Sequence, residues 1–385
     1  MSILKNKALL LFMAVLLAAS LTACSGAGAG GQAQGQGGGQ AAQEGGSQNG
    51  GQAEAGGQDG GQTADRPKEL KKFNVGYLAT TGHIMYFIAQ EKGFFREEGL
   101  DVTLSMFSNS GEGINAVIAG KLDAGSFGTA PPFTFIEKGQ PITIFGGQMY
   151  EGHAIIAKPE NAEAFRDLEG FRGKTVATVR LATGDIVLRY GLADSGIDWK
   201  KDVKIDELES PAAVLEAVKK GSADAGVVWT PYRKTAEQQG LAIVQYSGDI
   251  HGMANHPCCR QIAVTDRLAQ DPDAYVAFLS ALIRAYDFYK SNHEESIDVL
   301  AKYVQVDREI LEGETYGEHI GSSPDPNREG VAKFWEAMKA AGYVTSDLDI
   351  NEHVDTAIYE KALEGILARY PDNANYAGLK ADFKA

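Results

Sequence analysis

The chain has 385 residues, 44% of them hydrophobic and 23% charged, with a formal net charge of −15. An acidic balance of this size excludes a general binder of nucleic acid or of anionic membrane surfaces, both of which select basic patches. The length suffices for two domains, and the overall charge does not fix that of a ligand, because a pocket can differ from the surface around it.

The chain opens MSILKNKALLLFMAVLLAASLTAC. Lys5 and Lys7 form a short basic start, residues 8–19 an apolar run, and Leu21-Thr22-Ala23-Cys24 a small-residue end. The run is too short to span a bilayer and has the shape of a secretory h-region. Leu-Thr-Ala-Cys resembles the lipobox of bacterial lipoproteins. That resemblance implies a signal peptide over residues 1–23, cleavage before Cys24, and a diacylglyceryl thioether with palmitate on the Cys24 sulfur. The protein would then be extracytoplasmic and lipid-anchored to the bacterial cell membrane. An ordinary signal peptide with an incidental cysteine is the alternative. Residues 24–66 are mostly Gly, Gln and Ala, with no aromatic residue. Such a segment cannot bury enough apolar surface to offset its ordering entropy, so a disordered tether is expected, reaching on the order of 35 Å.

From residue 67 the composition is ordinary for a globular body. FNVGYLA reads as a strand, HIMYFIAQEKGFF as a helix up to Gly93, and LDVTLSMF alternates as a strand. NSGEGINAVIAGK opens a helix after a polar turn, and PITIFGGQM is a strand. A second series begins at GKTVATV: strand, helix from about Thr183, strand VKIDEL, helix PAAVLEAVKKG, strand DAGVVW, helix, strand LAIVQY. Beyond Asp271 the chain is mainly helical. EGHAIIAKPE, between the two series, and CCRQIAVTD, after the second, read as short strands that cross between two lobes. Lobe one is therefore expected to be discontinuous, over 67–155 and 260–385, with lobe two over 156–259.

An internal echo supports two similar lobes. AVIAGKLDAGSFGTAP and AVKKGSADAGVVWTPY match at a constant offset of 101 residues. Each copy predicts a helix ended by Gly120 or Gly221, a short buried strand, and a second helix capped by Thr129 or Thr230. The second helix would present its N-terminal N–H groups beyond the carboxyl end of the strand, where open α/β sheets bind ligands. Thr129 and Thr230 are expected to face each other across the cleft.

GYLATTGHIMYFIAQEKGFFREEGLDVTL resembles the opening of solute-binding proteins of the nitrate, sulfonate and taurine class, and DLEGFRGKTVAT and VLEAVKKGSADAGVVWTPY resemble their second-lobe signatures. The same fold includes binding proteins for thiamine-pyrimidine precursors. The resemblance covers roughly residues 73–290. It implies an α/β type II periplasmic-binding-protein fold, two α/β lobes joined by two crossing hinge strands. It also implies capture of a small-molecule solute for an ABC permease and its ATPase, by a monomer without catalysis, cofactor or metal. A pyrimidine-synthesis-type enzyme on the same fold and a ligand sensor without transport are the alternatives.

Carried over position by position, the family's ligand-bordering loops fall on Thr80, Thr81 and His83, on Asn109 and Ser110, and on Gly128, Thr129 and Ala130. Tyr150 and His153 approach the first crossing; Thr183, Gly184 and Asp185 open the corresponding helix of lobe two, and Trp229 and Thr230 face it. Asp185 there would repel an anionic solute, or bind a cationic or hydrogen-bonding one. Each position also has a plain structural reading: glycines in turns, threonines as caps, Trp229 as core.

NHPCCRQ sets Cys258 and Cys259 side by side, after His256 and before Arg260. Pocket-wall thiols or a vicinal disulfide, packing at a hinge, a soft-metal site with His256, and a His-activated nucleophile are the four readings, in that order. Adjacent cysteines lack the usual metal spacing, and no orienting acid accompanies the histidine. Arg260 could pair with an anionic ligand group or an acidic neighbour.

Overall fold

The computed structural model describes residues 69–385, so the signal, the lipobox with Cys24 and the whole of the tether lie outside the described residues. Eleven strands are described: β1 (Lys71–Leu78), β2 (Leu100–Phe107), β3 (Ala124–Gly128), β4 (Ile142–Glu151), β5 (His153–Ala157), β6 (Thr175–Val179), β7 (Lys204–Leu208), β8 (Ala225–Trp229), β9 (Ala242–Tyr246), β10 (Pro257–Val264) and β11 (Ile320–Ser322). They form two sheets, ordered β11-β4-β10-β3-β1-β2 and β7-β6-β8-β5-β9.

The two orders share one plan. In each sheet three consecutive strands lie parallel, and the next position is filled by an antiparallel strand from outside that run. In the first sheet this is β10, between β3 and β4. In the second it is β5, between β8 and β9. The chain therefore crosses twice, from β4 to β5 and from β9 to β10. The first crossing turns at Gly152, whose φ is 86°. A Cβ there would stand 2.4 Å from Met149 Cε, so only glycine fits both the dihedral and the space. This places the passage three residues before the 155/156 boundary expected from sequence. The return runs between Tyr246 and Pro257, and Cys258 and Cys259 already belong to the first sheet.

The echo proves to be a structural unit. The helices Ser110–Ile118 and Pro211–Lys220 each lead into a left-handed glycine, Gly120 (φ 71°) and Gly221 (φ 75°). The aspartates that follow do the same work in both lobes. Asp123 Oδ2 accepts from the Asn74 N–H of β1 at 2.7 Å, and Asp224 Oδ2 from the Thr175 N–H of β6 at 2.9 Å. Each thus pins the first strand of its own sheet.

The C-terminal helices add a contact between the lobes beyond the two strands. Phe334 and Trp335, on the helix Arg328–Ala340, join one apolar cluster with Phe133 of the first lobe and Ile186 and Val187 of the second. Just beyond that helix, the Ala341 carbonyl accepts from Trp199 Nε1 at 2.8 Å.

Candidate functional site

The carboxyl ends of both sheets converge on a small cavity of ≈30 Å³, about the liquid volume of one water. The first lobe contributes Leu78, Thr80, Asn109, Ser110, Gly128 and Met149, with Cys258 and Cys259 from β10. The second contributes His153, Val179, Arg180, Ala182, Thr183 and Trp229. Leu78, Gly128, Val179 and Trp229 end strands, and Ser110 and Thr183 open helices that follow, as the open-sheet rule requires.

Five threonines bond around this cavity, where the lobes meet, in a pseudo-symmetric way. Thr80 Oγ1 donates to the Thr230 carbonyl at 2.9 Å, and the Thr81 and Thr230 hydroxyls bond each other. Both hydroxyls also reach the Glu314 carbonyl. At the other end, Thr129 Oγ1 donates to the Cys258 carbonyl at 2.5 Å, and Thr183 Oγ1 reaches the same oxygen at 3.5 Å. The helix start after the first strand of each lobe therefore meets the segment after the third strand of the other. Thr230 is paired with Thr81, not with Thr129 as the echo suggested. The reason is geometric: two lobes related by a rough twofold bring unlike positions together. Neither Thr129 nor Thr230 caps its helix through its side chain.

Of the residues expected from sequence, Thr80, Asn109, Ser110, Gly128, His153, Thr183, Trp229, Cys258 and Cys259 line the cavity together. Thr81 and Thr230 lie buried just behind it as lobe-to-lobe fasteners, whereas Thr129 ties its own helix start to β10 within the first sheet. Ala130 is core. Gly184 packs against His153, leaving no room for a Cβ. His83 is buried, with Nε2 3.1 Å from the Ser126 carbonyl, and burial pushes its pKa down to about 4. Asp185 turns away from the cleft. Its carboxylate pairs with Arg189 at 2.9 Å, and Arg189 also holds Glu207 at 2.8 Å. Burial lifts the Asp185 carboxyl to about 6 against the pull of Arg189. The argument that Asp185 repels an anionic solute therefore falls. Tyr150 and Arg260 lie on a separate, more open cavity of ≈730 Å³ with Tyr286, Tyr289 and Asp325. There Arg260 donates to the carbonyls of Met149, Asp325 and Pro326. It pairs neither with a carboxylate side chain among the described residues nor with the cleft. That cavity is larger, but its walls come from the first lobe and the hinge, whereas the small one is shared by both lobes.

Leu78, Met149, Val179, Arg180 and Ala182 were not foreseen. Four are apolar residues at strand ends or in the turn after β6, where a cleft-facing side chain and a core one look alike in sequence. Arg180 was legible as a charge placed directly after a buried strand. It is 75% exposed at the rim, with Glu207 3.7 Å away.

The cysteine pair is built by an irregular strand. Pro257 pairs with Tyr150 and Cys259 with Met149, so two steps along β10 match one along β4, and the register shifts again between Cys259 and Arg260. Successive residues in a regular strand face opposite ways; a bulge re-aims them. Both sulfurs consequently reach the cavity, as free thiols 3.6 Å apart. His153 Nδ1 lies 3.1 Å from the Glu151 carbonyl, which makes it the protonated nitrogen and leaves Nε2 to accept. Cys258 Sγ lies 4.0 Å from that Nε2. Burial holds the His153 pKa at about 3 and raises the Cys258 thiol well above its usual value. The pair is therefore a neutral thiol beside a neutral imidazole, without the thiolate that nucleophilic catalysis requires. Among the described residues no three His, Cys, Asp or Glu side chains converge to hold a metal ion.

The match of residues 66–305 to the model of the NMT1-like family covers well over half of the sequence. The chain belongs to the NMT1-like family. Within the NMT1-like family and its wider fold, a candidate binding protein of Brucella abortus is 26% identical over 277 residues, 70% of this chain and 84% of the relative. A 4-amino-5-hydroxymethyl-2-methylpyrimidine phosphate synthase of Schizosaccharomyces pombe is 23% identical over 253 residues, 62% and 68% of the two chains. Among solved structures, the periplasmic nitrate-binding protein NrtA of Synechocystis PCC 6803 superposes with a TM-score of 0.67 at 19% identity, covering 77% of this chain and 89% of that one. The periplasmic aliphatic sulphonate-binding protein SsuA of Escherichia coli gives 0.63 at 20%, covering 75% and 99%. The periplasmic-binding-protein fold expected from the sequence is thus the fold of this NMT1-like chain.

Proposed function

We propose that this NMT1-like protein is an extracytoplasmic, lipid-anchored solute-binding component of an ABC importer, which captures a small solute between its lobes and presents the closed form to the permease. The observation that carries this reading is the cavity whose walls come equally from both lobes and whose rim is fastened by lobe-to-lobe threonine bonds. A ligand that touches both walls stabilises the closed state by its differential affinity for it. Binding proteins among the relatives and structural neighbours support the same class.

The wall chemistry narrows the solute. Leu78, Met149, Val179, Trp229 and two cysteines give an apolar, polarisable body, and Thr80, Asn109, Ser110 and Thr183 give a polar end. Asn109 Oδ1 caps the helix Ser110–Ile118 by accepting from Glu112 N at 3.0 Å. That helix start and the start of Thr183–Asp194 offer backbone N–H groups to a polar or singly anionic end. In chemistry these walls match a compact, ring- or alkyl-bearing solute with one polar end better than a small, strongly hydrated anion, and the lobes must part to make room for it, because the closed cavity has only ≈30 Å³. The neutral Cys258–His153 pair supports binding over the catalysis of the pyrimidine synthase relative.

The test is a thermal-shift screen of the purified protein against small sulfonates, nitrate and methylated pyrimidines. A true solute at 100 times its Kd should stabilise by about 2.7 kcal/mol. A screen with no stabilising compound, together with no co-purified small molecule, would oppose the binding role. For the anchor, Cys24→Ala should move the protein from the membrane fraction to the soluble one; an unchanged distribution would oppose lipidation.

A further inference from the structure

Cys258 and Cys259 are chain neighbours, yet both sulfurs line the interlobe cavity, 3.6 Å apart and unbonded. A regular strand would have sent one of them to the far side of the sheet. The double register shift of β10 against β4 prevents this. The fold thus uses a bulge at the mouth of its cleft to bring two thiols together, and bulges next to functional sites characteristically re-aim side chains.

We propose that Cys258 and Cys259 form a reversible modification site, a dithiol in the cleft wall that a hydroperoxide converts to a vicinal disulfide. In the first step, with the lobes open and the wall in water, one thiol ionises and its thiolate attacks a peroxide oxygen, giving a sulfenic acid and, once the released proton is taken up, water or, from an organic peroxide, an alcohol. In the second, the neighbouring thiol displaces that hydroxyl as water and the S–S bond forms. The two thiols lose two electrons and two protons in all, and the peroxide is reduced. The sulfurs need only close from 3.6 Å to the roughly 2.05 Å of a disulfide.

Adjacent Cα atoms lie about 3.8 Å apart, below the usual range for bridged cysteines, so the bond is strained and readily reduced. That makes the pair a switchable element and not a permanent staple. Oxidation removes both S–H donors from the wall, including the one directed at His153 Nε2. With the lobes closed the two residues are only 4% and 3% exposed, so oxidation proceeds through the open form. A solute that holds the lobes shut protects the thiols, and oxidation in turn alters the surface the solute meets. This last consequence rests on the proposed solute-binding role; the oxidation chemistry does not.

The experiment treats the full chain, purified in detergent, with hydrogen peroxide and maps its peptides by mass spectrometry. The peptide containing Cys258 and Cys259 should become lighter by two hydrogens, lose its uptake of N-ethylmaleimide, and regain it after dithiothreitol. Cys258→Ser and Cys259→Ser should each abolish the two-hydrogen loss. A peptide that still takes up two maleimides after peroxide, or that gains oxygen without losing hydrogen, overturns the proposal. Native mass spectrometry of the same samples reports any co-purified solute before and after oxidation, and its occupancy should fall on oxidation. Unchanged occupancy overturns the coupling. If no solute co-purifies and no compound of the thermal-shift screen binds, it is the binding role that fails, and the peptide mass still decides the thiol chemistry.

Discussion

At the scale of single residues, three buried histidines dominate the acid response. Burial lowers His83 and His256 to about 4 and His153 to about 3, from an ordinary 6.5. A depressed histidine pKa contributes stability that is complete above 6.5 and lost as the pH falls towards the folded value. Asp185 runs the other way: raised from 3.8 to about 6, its contribution is complete below 3.8 and lost as the pH rises through 6. Each pKa unit is worth about 1.4 kcal/mol, so three histidines outweigh one aspartate. Urea unfolding should show stability falling by on the order of several kcal/mol between about pH 7 and pH 4.5. His153→Gln should make that fall shallower. A flat or rising profile would contradict the buried neutral assignment. Such burial could not be read from the sequence, where a histidine in HIMYFIAQ or EGHAIIA resembles a surface one. Trp229 was more legible, because a large aromatic at the end of a buried strand has a cleft beside it.

At the scale of elements, the echo showed most of what matters. Gly120 and Gly221 had to be left-handed because a helix stops and a strand starts within a few residues, and both are. The role of its aspartates became visible only in the fold, because their partners Asn74 and Thr175 lie in other strands. Asp224→Ala should cost about 1–3 kcal/mol by leaving the buried end of β6 without its acceptor. Asp123→Ala should cost at least as much, since Asp123 also pairs with Arg267 at 3.0 Å. Thermal unfolding of both variants checks this; unchanged midpoints would reduce the aspartates to ornaments of the turn. The bulge in β10 was hidden for a different reason. Register is a property of two strands, and the CC dipeptide looks the same in a regular ladder as in a bulged one.

At the scale of the whole molecule, two lobes of like topology and two crossings were legible from the order of strands and helices, while the way the lobes fasten was not. Those bonds join residues far apart in the chain: Thr81 with Thr230, Thr183 with the Cys258 carbonyl, and the buried pair of Arg233 with Glu314 at 2.5 Å. Thr230→Val keeps the shape and removes the hydroxyl. Without solute it should shift the population towards open lobes, read as an increased radius of gyration in small-angle scattering; an unchanged radius would mean that the threonines do not hold the lobes. The central claim is that a solute occupies the cavity between Trp229 and the two cysteines. The most direct measurement is the native mass of the protein as purified, with wild type beside Trp229→Ala. Trp229 is partly buried in the wall, and removing an aromatic anchor from a small site typically costs about 2 kcal/mol or more. Wild type should carry a small-molecule adduct that is largely lost from the variant, whereas bare masses for both, or equal adducts on both, would contradict the claim.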